Sequence, residues 1–142
     1  ERRARLLYAF LGVIEQARQE IGTRLTALPE LVTRLTADCP ELSDFFGHIG
    51  RVWTREDYSS FSGAWREALY PLELSAEDKA LLSEAGGTLG RYDAGTQAAA
   101  LKRAGTALER QYEAALASAR RNGKVYRILG FAAGIMAVIL IL

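Results

Sequence analysis

The chain has 142 residues, of which 49% are hydrophobic and 25% charged, with only three prolines, and this balance excludes a disordered, collagen-like or low-complexity protein. Its length fits one domain, or one domain with an attached element. Residues 1–123 hold 16 basic against 17 acidic side chains, a net charge of −1 that gives no basic face for nucleic acid. One cysteine, Cys39, and one histidine, His48, exclude an internal disulfide and a cysteine-rich zinc site, and a reducing, cytosolic setting is expected.

The chain reads as helices from its start. Leu7, Leu11, Ile14, Ile21 and Leu25 follow a 4,3 spacing that skips Arg18, with Phe10 and Ala17 widening the stripe, so a first helix ends near Thr23 or Leu25. A second begins at Leu28 and Pro29, where proline in the first turn loses no hydrogen bond. It carries Leu31, Val32 and Leu35 to Asp38. Pro40 stops it and starts a short third helix with Leu42, Phe45, Phe46 and Ile49, closing at Gly50. A loop with Thr54 and Asp57 leads to a fourth, whose Phe61, Ala64, Trp65, Ala68 and Leu69 face inward before Pro71.

Ser75 to Asp78 resembles a capping box and opens a fifth helix with Leu81, Leu82, Ala85 and Leu89, weakened and closed by Gly86, Gly87 and Gly90. The sixth is the longest, Ala94 to Asn122. Its seam of Leu101, Gly105, Leu108, Tyr112, Ala115 and Ala119 is mostly small and permits close helix approach. Gly123 is a natural stop or hinge. No alternating strand pattern and no internal repeat occurs.

The sharpest change of composition is at the C-terminus, where Ile128 to Leu142 runs 15 residues without a charged or strongly polar side chain. As a helix this run is roughly 22 Å long, and counting from Val125 raises it to roughly 27 Å, close to the ~30 Å of a hydrocarbon core. Tyr126 then lies at the interface and Arg127 snorkels back to water. The competing reading is a buried helix, but a terminal helix apolar on every side has no face to show to water. The expected organisation is a cytosolic helical unit over 1–123 and a transmembrane segment over 124–142, in contact with the lipid bilayer. Arg120, Arg121, Lys124 and Arg127 keep the unit on the cytoplasmic side. The density of Arg2, Arg3 and Arg5 suggests a further hydrophobic segment upstream, and no signal peptide lies within these residues.

No catalytic constellation assembles from the sequence. His48 follows Gly47 near a helix end and reads as a capping or surface residue. Glu56 with Asp57, and Glu77 with Asp78, fall in first turns where acids favour the helix dipole. Cys39 has no basic neighbour in sequence and reads as a small packing residue. The glycines at 86, 87 and 90 lack the strand and the Lys-Ser or Lys-Thr of a phosphate loop, and Trp53 and Trp65 read as core. Gly130 and Gly134 form a G-x-x-x-G pair suited to packing against another membrane helix. No cofactor, metal or enzymatic activity is expected.

The C-terminal Tyr126, Arg127, Leu129, Gly130, Phe131, Gly134 and Val138 to Leu142, the turn with Leu89, Gly90, Asp93 and Gln97, and Glu20, Ile21, Thr26, Leu28, Pro29 and Glu30 occur in the order found in one family. Ala64, Trp65, Ala68 and Leu69 fit its tryptophan helix. The sequence resembles the stage III sporulation protein AB (SpoIIIAB) family, with Tyr92 where Ser is expected and Ala27 replacing a proline. The resemblance implies an all-α, antiparallel six-helix bundle followed by a C-terminal membrane helix, with the bundle similar to the cytoplasmic domains of GspF, the inner-membrane platform protein of type II secretion.

It further implies a non-enzymatic platform in the channel complex between mother cell and forespore, required for endospore formation. The protein would lie in the mother-cell side of the forespore outer membrane, beside other membrane proteins of the complex, and dock a sporulation ATPase of the secretion-motor type. Arg91, Asp93 and Gln97, with Glu30 second, are the candidate docking positions; capping and turn formation are the alternative for all four. The competing functions are a tail-anchored helical adaptor unrelated to sporulation and a small membrane-anchored hydrolase or ligand-binding bundle with its site among His48, Trp53 and the acids of the fourth helix.

Overall fold

The computed structural model describes residues 2–53, 58–89 and 93–141, and for 58, 59 and 122–141 it describes the helical backbone alone. The described residues form six α-helices and no strand: α1 (Arg2–Arg24), α2 (Leu28–Asp38), α3 (Ser43–Val52), α4 (Tyr58–Leu69), α5 (Ala76–Thr88) and α6 (Ala94–Ile141), with a 3₁₀ turn at Pro40–Leu42. The expected third helix is thus divided, since Pro40 can begin a turn but Leu42 and Ser43 must re-register the chain before α3 proceeds past Gly50 to Val52.

The most extensive packing is between α1 and α6. Leu7, Ile14 and Ile21 recur every seven residues along α1 with Phe10, Val13 and Ala17 between them, and all are buried. On α6 Leu101, Leu108 and Ala115 keep the same period and are buried too. The helices run antiparallel: Tyr8 meets Tyr112 with ring centroids 5.7 Å apart. A Cβ on Gly105 would stand 3.4 Å from Ile14 Cγ2, and one on Gly22 would stand 3.5 Å from Ala98 Cβ. Gly105 is the small seam position that the sequence marks, and a Cβ there would just reach ordinary contact with α1.

The seam stops short of Leu25. That residue is 72% exposed and sits at φ 52, the left-handed region, where an L side chain is disfavoured. The helical period would have placed it inward, but the chain must leave α1 and reverse into α2 here. The reversal is closed by the Thr26 N–H, which donates to the Glu20 carbonyl at 3.0 Å.

Beside the α1–α6 pair, α3, α4 and α5 enclose an aromatic core. Phe45 meets Phe10 at 5.0 Å and Trp65 at 4.9 Å, both edge to face, and Trp53 meets Phe61 at 5.1 Å. Both tryptophans are buried, as expected, and each such contact adds about 0.5–1.5 kcal/mol to simple burial. Trp65 also donates its Nε1 hydrogen to the Leu82 carbonyl of α5 at 2.8 Å. That contact explains Gly86, one turn after Leu82. Any Cβ there would overlap the indole ring, so this glycine lies inside α5 as the floor under Trp65.

The sixth helix departs from expectation at its end. It does not stop near Asn122 but continues through Gly123 to Ile141 as one helix of 48 residues, about 72 Å at the usual rise. A single glycine costs a helix interior only about 1 kcal/mol, and the Ala- and Arg-rich residues before it are strong helix formers. Among the described residues no helix is long and apolar enough to cross a membrane. The side chains of the expected membrane segment, 124–142, lie outside the described residues.

Candidate functional site

Two buried carboxylates, neither of them among the sequence candidates for function, organise the polar contacts between helices. Asp78 is fully buried at the third position of α5. Its Oδ2 accepts from Arg3 Nε at 2.7 Å and from the Ser75 N–H at 3.0 Å, and its Oδ1 accepts from Arg3 Nη2 at 3.1 Å and Gln111 Nε2 at 3.0 Å. The Ser75 hydroxyl in turn accepts from the Asp78 N–H at 3.1 Å, completing the capping box. One side chain therefore caps α5 and fastens it to α1 and α6. Burial opposes its ionisation, but the hydrogen bonds from Arg3 and Ser75 outweigh that and hold its carboxyl below the ordinary aspartate value.

Glu20 is the second centre, at the other end of α1. Its Oε2 accepts from the Thr26 hydroxyl and from Arg34 Nη1 of α2, both at 2.7 Å, and its Oε1 accepts from Arg24 Nη1 at 3.1 Å. Arg34 reaches further, to Glu30 at 2.7 Å. The Thr26 hydrogen bond first, then the charges of Arg34 and Arg24, lower the Glu20 pKa against the effect of burial. The cluster welds the α1–α2 turn, and it accounts for Glu20, Thr26 and Glu30 standing in this order in the sequence. The signal was present in the sequence as acids and arginines on two consecutive helices, but nothing in it showed which of the many acids is buried.

The candidate docking residues are held as caps and ion pairs. Asp93 begins α6: its Oδ1 accepts from the Thr96 N–H at 2.9 Å and its Oδ2 from the Thr96 hydroxyl at 2.8 Å. The Thr96 N–H, then its hydroxyl, lower the Asp93 pKa. The Gln97 N–H donates to the Asp93 carbonyl at 2.9 Å. Asp93 and Gln97 thus share one turn, whereas Glu30 is on α2 and bound to Arg34. Arg91, Gly130 and Gly134 fall outside the residues whose side chains are described.

Of the residues raised for a hydrolase, His48 meets an acid of the fourth helix. His48 on α3 has its Nε2 3.2 Å from Glu67 Oε2 on α4, a pairing at the surface. Glu56 and Asp57 lie outside the described residues. Cys39 is half-buried, and burial first, then Glu41 and Asp38, push its thiol pKa up, in keeping with a packing residue. Among the described residues no cluster of His, Cys, Asp and Glu could hold a metal ion. An open groove of about 530 Å³ lies beside the α1–α6 pair, lined by Arg5, Tyr8, Gly12, Cys39, Glu41 and Tyr112 among others.

Comparison with known proteins agrees with this architecture. A solved structure described as stage III sporulation protein AB (SpoIIIAB) has the same fold, with a TM-score of 0.69 at 22% identity over 82% of this chain and 95% of that one. No curated protein sequence matches the chain. The family model for stage III sporulation protein AB (spore_III_AB) matches residues 1–142, the whole chain. The chain therefore belongs to the stage III sporulation protein AB family, and its role lies in sporulation.

Proposed function

We propose that this protein is a non-enzymatic membrane platform of the channel complex between mother cell and forespore, with its helical unit on the cytoplasmic side docking a secretion-type ATPase. The observation that carries this reading is the continuity of α6. One helix contributes the buried Leu101, Leu108 and Ala115 to the core and then runs on, without a loop, into the apolar C-terminal residues. A load applied to the helical unit is transmitted along such a helix directly, and the Asp78 and Glu20 clusters at the two ends of α1 keep the unit itself stiff. The kinship with GspF-type platform domains that the sequence resemblance implies supports the same reading. Gly130 and Gly134 then serve packing against neighbouring membrane proteins of the complex.

Within this reading the turn of Arg91, Asp93 and Gln97 is one docking face and Glu30 another. The test is to place the full chain in lipid nanodiscs and measure binding of the secretion-type ATPase of the sporulation complex, with and without ATP. Saturable binding supports the platform role. Absence of binding by a chain shown to be helical by circular dichroism rejects it.

A further inference from the structure

Most arginines of α1 and α2 are spoken for: Arg3, Arg18, Arg24 and Arg34 each hold a carboxylate and Arg2 approaches Glu73, which leaves Arg5 as the one without an ion pair among the described arginines of these two helices. The cations of α6 are not spoken for. Lys102, Arg103, Arg110, Arg120 and Arg121 are all exposed, and among the described residues none has an ion pair. Residues 94–121 hold these five bases against two acids, Glu109 and Glu113, a net +3 in a 1–123 unit whose total is −1. The first helix carries the same balance, Arg2, Arg3, Arg5, Arg18 and Arg24 against Glu15 and Glu20, but four of its five arginines meet carboxylates, so what sets α6 apart is that its cations are unpaired.

Three of these unpaired cations also share one direction. At 3.6 residues per turn, Arg103 and Arg121 lie five turns apart on one line, with Arg110 and the small, exposed Ala114 and Ala117 close to it. This line is opposite the buried Leu101, Leu108 and Ala115, so it faces away from α1. Lys102, Arg103 and Arg110 wall a shallow groove of about 290 Å³ floored by Thr106 and Ala107. A floor of small side chains lets another backbone come close, while the flanking cations can reach carboxylates on it.

We infer that this outward strip of α6, centred on Arg103 and Arg110 with Lys102 at its edge, is a docking surface for an acidic protein face. The inference rests on the platform reading above and names a surface for it. Lipid headgroups do not account for the strip. Along α6, Arg110 is about 27 Å and Arg103 about 37 Å before the apolar run that starts at Ile128, several times the ~8 Å over which charge acts at physiological salt. Only Arg120 and Arg121 stand near enough for that attraction.

The test uses the full chain in nanodiscs and the secretion-type ATPase of the complex as the probe, over a range of salt. K102E/R103E/R110E should weaken binding about tenfold or more and flatten its salt dependence, while R103K/R110K stays close to the parent chain. Circular dichroism and melting confirm that both variants are folded. If the parent chain binds and the reversed variant binds equally well, the strip is not the docking surface and the platform reading stands. If the parent chain does not bind, both fail. If reversal alters only attraction to nanodiscs containing phosphatidylserine, or only the number of copies that associate, the occupant is lipid or a second copy and the inference is overturned.

Discussion

The Arg3 guanidinium and the Asp78 carboxylate, 75 residues apart in the chain, meet through two hydrogen bonds at 2.7 and 3.1 Å. Asp78 has no exposed surface, whereas the Arg3 side chain is 31% exposed. Removing the acid by Asp78→Ala leaves Arg3, Gln111 and the Ser75 N–H without their acceptor. The expected cost is about 3 kcal/mol, the low end for a buried pair because Arg3 keeps contact with water. Thermal melts of the parent and variant chains check this, and an unchanged melting temperature would remove Asp78 from the set of structural residues.

The same carboxylate predicts a pH dependence. Its pKa is lower in the folded state than in the unfolded chain, so its stabilisation is complete above the unfolded value, near pH 3.9. It is lost as pH falls from there through the folded value. Melting temperatures measured between pH 6 and pH 2 should fall less steeply for Asp78→Asn than for the parent chain. Parallel curves would show that Asp78 titrates alike in both states.

Gly86 and Trp65 form a second pair that a substitution can separate. Because a Cβ at Gly86 would overlap the indole, Gly86→Ala should push Trp65 off the Leu82 carbonyl and cost about 1–3 kcal/mol, against the slight gain alanine normally brings to a helix. Removing the ring removes the overlapping Cγ, Cδ1 and Nε1 atoms, so Gly86→Ala should be markedly less harmful in a Trp65→Ala background. A double-mutant cycle reads that coupling, and additive losses would show that the two residues do not press on each other.

Most of the helices were legible because their signals are local. Pro29 and Pro40 mark starts, Ser75 with Asp78 marks a capped start, and the seven-residue spacing of Leu7, Ile14 and Ile21 marks the buried face. Leu25 misled for the same reason: it extends the spacing, but the spacing carries no information about where the chain must turn. Gly86 was read as a helix breaker, since only the fold brings Trp65 over it. The two buried carboxylates were invisible because burial is a property of how distant helices meet. Asp78 looked like one more first-turn acid beside the exposed Glu77. The candidate docking turn was legible as a turn, and its Asp93 is seen as a cap.

Leu25 itself offers a stabilising substitution. At φ 52 a leucine carries a conformational cost of about 1–2 kcal/mol that glycine does not, and its exposed side chain contributes little packing in return. Glycine also has more freedom to lose on folding, so the net expected gain for Leu25→Gly is about 0.5–1 kcal/mol. A denaturant titration measures it. A loss of stability would mean that the Leu25 side chain makes a contact worth more than the backbone strain.

Asp93 separates capping from recognition. Both carboxylate oxygens accept from Thr96, so Asp93→Ala should lower the melting temperature and speed amide exchange in the first turn of α6, while Asp93→Asn and Asp93→Ser, which can still cap, should restore most of both. A docking role requires something different. It needs the negative charge itself, so Asp93→Asn would keep the helix intact yet lose ATPase binding. Measured together on the full chain, exchange rates and binding distinguish the two. If Asp93→Asn and Asp93→Ser bind as the parent does, the residue is a cap alone and docking falls to other surfaces of the helical unit.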